Sequence, residues 1–430
     1  MKKENTDDRK ARSAVLKNRP FLLLWTAQAI SQTAQNVMSF VLLIEVAKIS
    51  RSSIQTSLVI LCFMLPAILV GPVAGVFVDR LDKRQVLVST NLLRAGVALI
   101  FILINTSWPV ALALAAIYAV SVMFSTISQF FAPAEAATIP LLVAGPQLNS
   151  ANSLFNLTFV SSQVVGFAFL GPLLVKLATP RIIFLVVSGF YAACTLLVAF
   201  LPALHEGVVR SAAGVIGSRI QEVWDEVVDL WKFVARERNV ATAIANISLT
   251  TSVFLMLGTL GVGLLMQAMG LPASDLAYIV SAGGIGMLAG LWLVPRLAHR
   301  LGSKALITPG LAAMGTAILG MAIANPIAEF VFRTRPHAVA PTVLIVEMGL
   351  AAVIGIGSVF VNVPSQTLLQ ESASPSIRGR IFAMLFAVSA GLSVIPVLFA
   401  GAIADLVGVQ EVMGLIGILT LVVAAVRRVE

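Results

Sequence analysis

The sequence predicts an all-α membrane protein in which twelve transmembrane helices form two pseudo-symmetric six-helix bundles. Three observations support this fold: the composition, the spacing of the apolar runs and a repeat between the two halves. Hydrophobic residues make up 58% of the 430 residues, and charged residues only 11%. A soluble domain carries about 25% charged residues. So few charges cannot cover a water-exposed surface, which argues against a soluble enzyme, a nucleic-acid-binding protein and a disordered chain.

Each apolar run is long enough to cross a bilayer, which takes about 20 residues. The runs are 21–44, 57–78, 86–104, 109–131, 152–176, 180–201, 241–266, 276–297, 305–323, 342–361, 380–401 and 407–426. They divide the chain into an N-tail (1–20), a first bundle (21–201), a link (202–240), a second bundle (241–426) and a C-tail (427–430). Within the link, apolar residues recur at helical spacing opposite acidic ones. This pattern predicts an amphipathic helix, which serves either as a simple tether or as a regulatory element.

The distribution of lysine and arginine sets the orientation. The tails and links on the side of the two termini carry 22 of these cations, and the links on the other side carry 6. Because cytoplasmic segments of membrane proteins are enriched in cations, both termini and the central link are predicted to be cytoplasmic. We expect a multi-pass protein of the inner (plasma) membrane.

The two halves contain related short motifs about 220 to 230 residues apart. Phe131-Ala132-Pro133-Ala134-Glu135, placed in the link after the fourth run, matches Asn362-Val363-Pro364-Ser365-Gln366 after the tenth. The motif that begins at Val78-Asp79-Arg80 is similarly echoed by one that begins at Ala298-His299-Arg300. Weak internal symmetry of this kind is typical of transporters with a site at the membrane midplane.

The segment Gly75–Arg84 resembles the signature that the major facilitator superfamily carries between its second and third helices. The wider pattern resembles the branch of enterobactin exporters and macrolide efflux proteins. That pattern consists of Phe21–Trp25, the Phe-x-Pro-Ala motif at Phe131 and Arg378-Gly379-Arg380. The resemblance covers about residues 17 to 426.

This resemblance implies alternating access by two rocking bundles and export of an amphipathic small molecule (a drug, siderophore or other metabolite) in exchange for protons. Three departures bear on the coupling. Ala34-Gln35 replaces the Gly-Asp usual in this branch, the helix-five glycine motif is reduced to Gly171-Pro172, and His299 replaces an aspartate. A facilitator or importer of a neutral solute, a lipid-like flippase and a non-transporting sensor or scaffold stay open as alternatives.

The resemblance also implies a cytoplasmic gate. Its residues are Gly75, Asp79, Arg80, Lys83, Arg84, Arg94, Arg378 and Arg380. Asp79 is expected to accept hydrogen bonds at the start of helix eleven, where the helix dipole favours an anion, beside Arg380. Arg94 is either a second partner of Asp79 or a side chain that extends to the membrane interface.

A polar stripe on helix one predicts the substrate cavity. Gln28, Gln32, Gln35 and Ser39 fall within 60° of one another on a helix of 100° per residue. Further polar positions on other helices are Asn152, Asn156, Gln163, Asn246, Thr250 and Ser358. Because amides do not face lipid, these groups either line a cavity or hydrogen-bond between helices. Neutral polar groups among apolar ones indicate an amphipathic substrate.

Glu347 is the predicted proton-coupling residue, because a glutamate inside a membrane span is costly unless it has a function. The alternative is a permanently protonated side chain that hydrogen-bonds a neighbouring helix. The three histidines lie in separate links, and the sequence contains no metal-ligand spacing or nucleophile–base pair. We therefore expect a monomeric non-enzyme without metal or cofactor, whose partners are its substrate, protons and membrane lipid.

Overall fold

The computed structural model describes residues 15–104, 108–143, 147–202, 237–332, 336–372 and 378–429. Within these ranges every regular element is a helix, which confirms the predicted all-α fold class. The N-tail up to residue 14 and most of the central link, with its predicted amphipathic helix, lie outside the described residues.

The helices of the first half are long and separated by short turns. They are α1 (Arg19–Ser50), α2 (Ser53–Leu69), α3 (Gly71–Arg80), α4 (Lys83–Leu103), α5 (Val110–Leu142), α6 (Leu148–Gln163), α7 (Gly171–Leu177) and α8 (Pro180–Ala199). A π-helical segment, Val164–Leu170, joins α6 to α7.

The second half repeats this organisation. Its helices are α9 (Arg238–Gly263), α10 (Leu276–Leu301), α11 (Ile307–Phe332), α12 (Pro336–Ser372), α13 (Arg378–Val407) and α14 (Val409–Val429). A π-helical segment, Leu264–Ala268, extends α9. Short 3₁₀ segments, Ala273–Asp275 and Ser303–Leu306, precede α10 and α11.

Nine stretches of the described residues are long and apolar enough to cross a membrane. Ser53–Leu69 and Gly391–Val407 are apolar but shorter, and α1 is long but carries the polar stripe. These three coincide with the remaining predicted spans, so the count of twelve stays a prediction. The structure does establish a chain with many apolar helices.

The described residues separate into two compact units. The first unit holds the residues up to 50 and those from 58 to 202, and the second holds 51–57 and those from 237 onward. The first turn of α2 thus belongs to the second unit, whereas the sequence placed it between two spans of the first bundle. Within the second unit, the carboxylate of Asp405 on α13 accepts the backbone N–H of Ser53.

The core of the first unit forms where α1, α4, α5 and α8 pack together. Val37, Met38 and Val41 of α1 are fully buried. Aromatic rings complete this core: Phe124 meets Tyr191 edge-on with ring centroids 5.7 Å apart. Since this half of α1 is enclosed by protein, only part of its surface can present the polar stripe.

Close backbone contacts hold the second unit together. α12 packs against both α10 and α11, and α11 against α14. A Cβ atom added at Gly286 of α10 would lie 2.8 Å from the Cα of Ala352, and one at Gly310 of α11 would lie 2.9 Å from the carbonyl oxygen of Gly357. Glycine at these points allows helix backbones to touch, which is how apolar helices associate in lipid.

The structure corrects the placement of the two repeated proline motifs. Phe131–Glu135 lies inside α5 and Asn362–Gln366 inside α12, whereas the sequence placed both in links. Pro133 and Pro364 therefore stand within continuous helices. Membrane helices accept proline because neighbouring helices satisfy the backbone groups that it frees.

Candidate functional site

The polar stripe of α1 divides into a buried part and a half-buried part. Gln28 is buried, and its Nε2 donates to the carbonyl oxygen of Phe155 on α6 at 3.4 Å. Gln32, Gln35 and Ser39 are half-buried, and the Ser39 hydroxyl donates to the Gln35 carbonyl oxygen of its own helix. The partly accessible amides of Gln32 and Gln35 are thus the positions of this stripe that can meet a substrate.

Two of the three predicted polar positions of helix five are described. Asn152 and Gln163 of α6 are exposed, and the side chain of Asn156 lies outside the described part. Other groups join this helix to α1: Trp25 Nε1 donates to Thr158 Oγ1 at 2.7 Å. Gly166, in the π-helical segment, faces α1 so closely that a Cβ would lie 2.7 Å from the Thr33 carbonyl oxygen.

The predicted cavity residues of the second unit are buried and paired. Asn246 Nδ2 donates to Ser365 Oγ at 3.2 Å, which joins α9 to α12. The hydroxyls of Thr250 and Ser358 donate to backbone carbonyls of their own helices. Asn246 thus forms a hydrogen bond between helices, which is the alternative that the sequence left open, whereas Thr250 and Ser358 bond within their own helices.

Glu347 is completely buried inside α12, and neither carboxylate oxygen has a hydrogen-bond partner among the described residues. It precedes Ala351 by one turn, and the backbone at Ala351 lies against Gly283 of α10. The hydrogen bond to a neighbouring helix that the alternative interpretation required is absent from this part of the structure. An ionised carboxylate without a partner is strongly disfavoured in such surroundings.

The predicted gate is only partly described. The side chains of Asp79, Arg80, Arg378 and Arg380 lie outside the described part, so the contact between Asp79 and the start of α13 stays a prediction. The backbone positions are consistent with a motif at helix ends: α3 ends at Arg80 and α13 begins at Arg378. At Gly75, an added Cβ would meet nothing within 4 Å, so no close helix approach explains this glycine here.

Lys83, Arg84 and the second aspartate of this motif, Asp82, lie at the start of α4. Lys83 is buried in the first turn of α4, and Arg84 Nη2 donates to the carbonyl oxygen of Ala199 at the end of α8. Asp82 caps α4, accepting the backbone N–H of Gln85 at 2.9 Å. Arg84 therefore satisfies a free carbonyl at a helix end, a role that the sequence did not indicate.

Arg94 occupies a different place from the one predicted. It is 1% exposed, and Nη1 donates to Ser31 Oγ on α1 at 3.0 Å. Its guanidinium lies over the rings of Phe131 and Tyr191, 4.4 and 5.1 Å from their centroids. The side chain thus points into the bundle and not to the membrane interface, because the two aromatic rings provide a cation–π enclosure. Its pairing with Asp79 stays a prediction.

Glu135 is the functional candidate that the sequence missed. It follows Phe131 by one helical turn on α5, is 6% exposed, and interacts electrostatically with Arg94. Sequence reasoning placed it in a link because of Pro133. The available signal was the long apolar run through Ile139, which continues the helix past the proline.

The comparison with protein families decides the identity of this fold. The model described as Major Facilitator Superfamily matches residues 24–395. The chain belongs to the major facilitator superfamily. Its fold and family are therefore those of transporters rather than of enzymes, and it is a multi-pass membrane protein.

Named relatives of this superfamily member are distant but extend over nearly its whole length. Macrolide efflux protein A of Streptococcus pyogenes is 22% identical over 423 residues, which cover 94% of each chain. The uncharacterized MFS-type transporter YfiS of Bacillus subtilis (strain 168) is 20% identical, covering 90% of this chain and 87% of the relative.

Solved structures show the same superfamily fold. The nucleoside transporter NupG superimposes with a TM-score of 0.68 at 14% identity, covering 95% of this chain and 98% of the other. A bacterial homologue of the iron transporter ferroportin, in an inward-facing state, gives a TM-score of 0.67 at 17% identity with the same coverage. At such identities these likenesses establish the fold alone.

Proposed function

We propose that this major facilitator superfamily protein exports an amphipathic small molecule across the plasma membrane by alternating access, in exchange for protons. Both termini face the cytoplasm in this proposal, and the chain acts as a monomer. The relative named macrolide efflux protein A supports both the direction and an amphipathic substrate.

The half-buried amides of Gln32 and Gln35 on α1 carry the proposal. These two residues stand on a helix whose other buried groups are mostly apolar, among them Phe21, Leu24 and Val37. Neutral amides can bind hydroxyl, carbonyl and ether groups without the cost of burying a charge, and apolar neighbours bind the rest of the molecule. A highly charged substrate does not fit such a surface.

A buried carboxyl group supplies the chemistry for proton exchange. We assign Glu347 of α12 as the proton-coupling residue of the second unit, as the sequence predicted. Because the side chain is fully enclosed here, proton exchange at Glu347 requires a second conformation in which it meets water. Alternating access provides such a conformation.

The test is efflux of a panel of macrolides and fluorescent dyes from cells expressing the protein, with and without a protonophore. Export is expected to lower cellular accumulation, and the protonophore to restore it. Downhill movement unaffected by the protonophore would indicate a facilitator, and transfer of labelled phospholipid between leaflets a flippase. Absence of any movement would indicate a sensor or scaffold.

Matched alanine variants connect the activity to the proposed surface. Gln35→Ala is expected to weaken export of at least one substrate by about 5- to 10-fold, since one hydrogen bond contributes about 1 kcal/mol. Gln85→Ala, at an exposed position in the first turn of α4, is the control and should leave export unchanged. Equal export by both variants would remove the α1 stripe from the substrate site.

A further inference from the structure

The first unit contains a buried cluster of ionisable groups that the proposed transport cycle does not yet use. Arg94 and Glu135, on α4 and α5, are 1% and 6% exposed. Ser31 of α1 and Tyr191 of α8 complete the cluster, and both are buried. Four helices thus enclose one guanidinium and one carboxyl group.

The cluster is not fully hydrogen-bonded in this conformation. Among the described residues, Nε and Nη2 of Arg94 and Oε1 of Glu135 have no partner. One turn away on α1 and α4, Gln28 Oε1 and Asn91 Oδ1 are also buried without a partner. Buried polar groups nearly always have partners, so unused donors and acceptors side by side indicate a second arrangement of the same groups.

Arg94 and Glu135 lie near each other without forming an ion pair. Arg94 interacts electrostatically with Glu135, yet no salt bridge joins these two described side chains, and Oε1 of Glu135 has no hydrogen-bond partner among the described residues. The guanidinium is instead held by Ser31 at 3.0 Å and by the ring of Phe131. Glu135 follows Phe131 by one helical turn, so the carboxyl group lies on the same stretch of α5 that the guanidinium contacts.

Only a very small ligand fits this cluster. Phe131, Tyr191 and Ser31 are at most 2% exposed, so packed side chains fill the space around the guanidinium. A drug or a metabolite has no room here. A proton needs none.

We propose that Glu135 and Arg94 form a proton-exchange site of the first unit, in which proton loss from Glu135 draws the Arg94 guanidinium from Ser31 to the carboxylate. The neutral carboxyl group releases its proton to water and becomes a carboxylate, and no other bond is broken. The arrangement with Arg94 on Ser31 corresponds to protonated Glu135. Because Ser31 precedes Gln32 on α1, the switch acts on the helix that carries the proposed substrate amides.

The other titratable groups around Glu135 are few. Tyr191 and Cys194 of α8 also interact electrostatically with Arg94. The described side chains of α1 that approach the cluster, Gln28 and Ser31, are neutral, and α6 contains no titratable residue. The charged side chains of α3 lie outside the described part. Among the described groups, Arg94 is therefore the cation that can stabilise an ionised Glu135.

Glu135 differs in this respect from Glu347. Both carboxylate oxygens of Glu347 are buried without a partner among the described residues. For Glu135, Arg94 is a buried cation that can stabilise the carboxylate after the proton has left. The role of the Glu135 site in transport rests on the proposed proton coupling, whereas proton exchange at Glu135 itself does not.

The test is an infrared pH titration of the purified full-length protein in liposomes, which reads the carbonyl stretch of protonated carboxyl groups. The wild type is expected to lose a buried-carboxyl band as the pH rises. That change should be absent in Glu135→Gln and present in Glu347→Gln, the matched control. Arg94→Gln should shift the titration, and Arg94→Lys, which keeps a cation, should shift it less. An unchanged titration in Glu135→Gln would overturn the site.

Two further measurements separate the causes of failure. Should Glu135→Gln not fold, Glu135→Asp keeps a carboxyl group and is expected to move the band, while an unmoved band counts against the site. The titration needs no substrate. If the protein exports no drug but shows the Glu135 band, only the proposed export is contradicted. Proton-driven efflux without that band contradicts the Glu135 site alone.

Discussion

The carboxylate of Asp405 on α13 accepts the backbone N–H of Ser53 at 2.7 Å and so caps the first turn of α2. Its other oxygen accepts the backbone N–H of Ile54 at 3.2 Å and the hydroxyl of Ser52 at 2.5 Å. An anion at a helix N-terminus satisfies free N–H groups and interacts favourably with the helix dipole. Asp405 therefore connects the first turn of α2 to α13 within the second unit.

Removing this cap is expected to loosen the start of α2. Asp405→Ala should destabilise it by about 1–2 kcal/mol, the usual cost of a lost cap carboxylate. The measurement is thiol labelling of Ser53→Cys in a background without Cys62 and Cys194, since Ser53 is 2% exposed. Labelling should accelerate about 5- to 30-fold. Glu45→Gln, which breaks the exposed Lys48 pair, is the control, and equal rates in both variants would contradict the cap.

The tight contact between α10 and α12 predicts a strong effect of one added methyl group. A Cβ at Gly355 would lie 2.8 Å from the backbone nitrogen of Met287, which cannot move aside as a side chain could. Gly355→Ala should lower the free energy of unfolding by about 1–3 kcal/mol, measured as a lower melting temperature in detergent. Gly349→Ala, on the same helix with nothing within 4 Å, is the control. Equal melting temperatures for both variants would show that the helices separate freely.

The gate that the sequence motif implies is tested by two neighbouring aspartates. Asp79→Asn should abolish export while membrane insertion continues, because the start of α13 and Arg380 lose an anionic partner worth about 1–3 kcal/mol. Asp82→Asn is the control, since Asp82 caps α4 through Gln85 and asparagine caps about as well. Export and surface expression are measured together. Wild-type export by Asp79→Asn would reduce the aspartate to a topology signal.

The cation distribution predicts which segments a membrane-impermeant thiol reagent can reach. In a cysteine-free background, Asn5→Cys and Ser211→Cys should stay unlabelled in intact cells and become labelled after permeabilisation. Lys48→Cys should be labelled from outside, because Lys48 lies between the first two spans and is exposed. Labelling of position 5 or 211 in intact cells would reverse the topology.

The sequence predicted the features that depend on local pattern. Runs of apolar residues long enough for a bilayer became helices, because a buried backbone in lipid has few alternatives. The proline at Pro133 misled the prediction, since proline ends helices in water but is accepted inside membrane bundles. Glu135 was consequently placed in a link.

The features that sequence did not predict depend on distant parts of the chain. Arg94 was expected either to pair with Asp79 or to extend to the membrane interface. It stays inside because Ser31, Phe131 and Tyr191, from three other helices, provide its contacts. Asp405 meets Ser53 from 352 residues away. No local pattern encodes such a pairing.

Glu347→Gln tests the proton-coupling residue proposed for the second unit. Glutamine has the same shape and stays neutral, so the fully buried position should tolerate it and the melting temperature should change little. Without a group that can release a proton, the variant should equilibrate substrate across the membrane but no longer concentrate it. Uphill export in proteoliposomes with an imposed proton gradient separates these two abilities. Glu45→Gln, whose ion pair with Lys48 is exposed and contributes at most about 1 kcal/mol, should keep both. Uphill export by Glu347→Gln that still collapses with a protonophore would move the coupling group elsewhere, with Glu135 the next carboxyl to test.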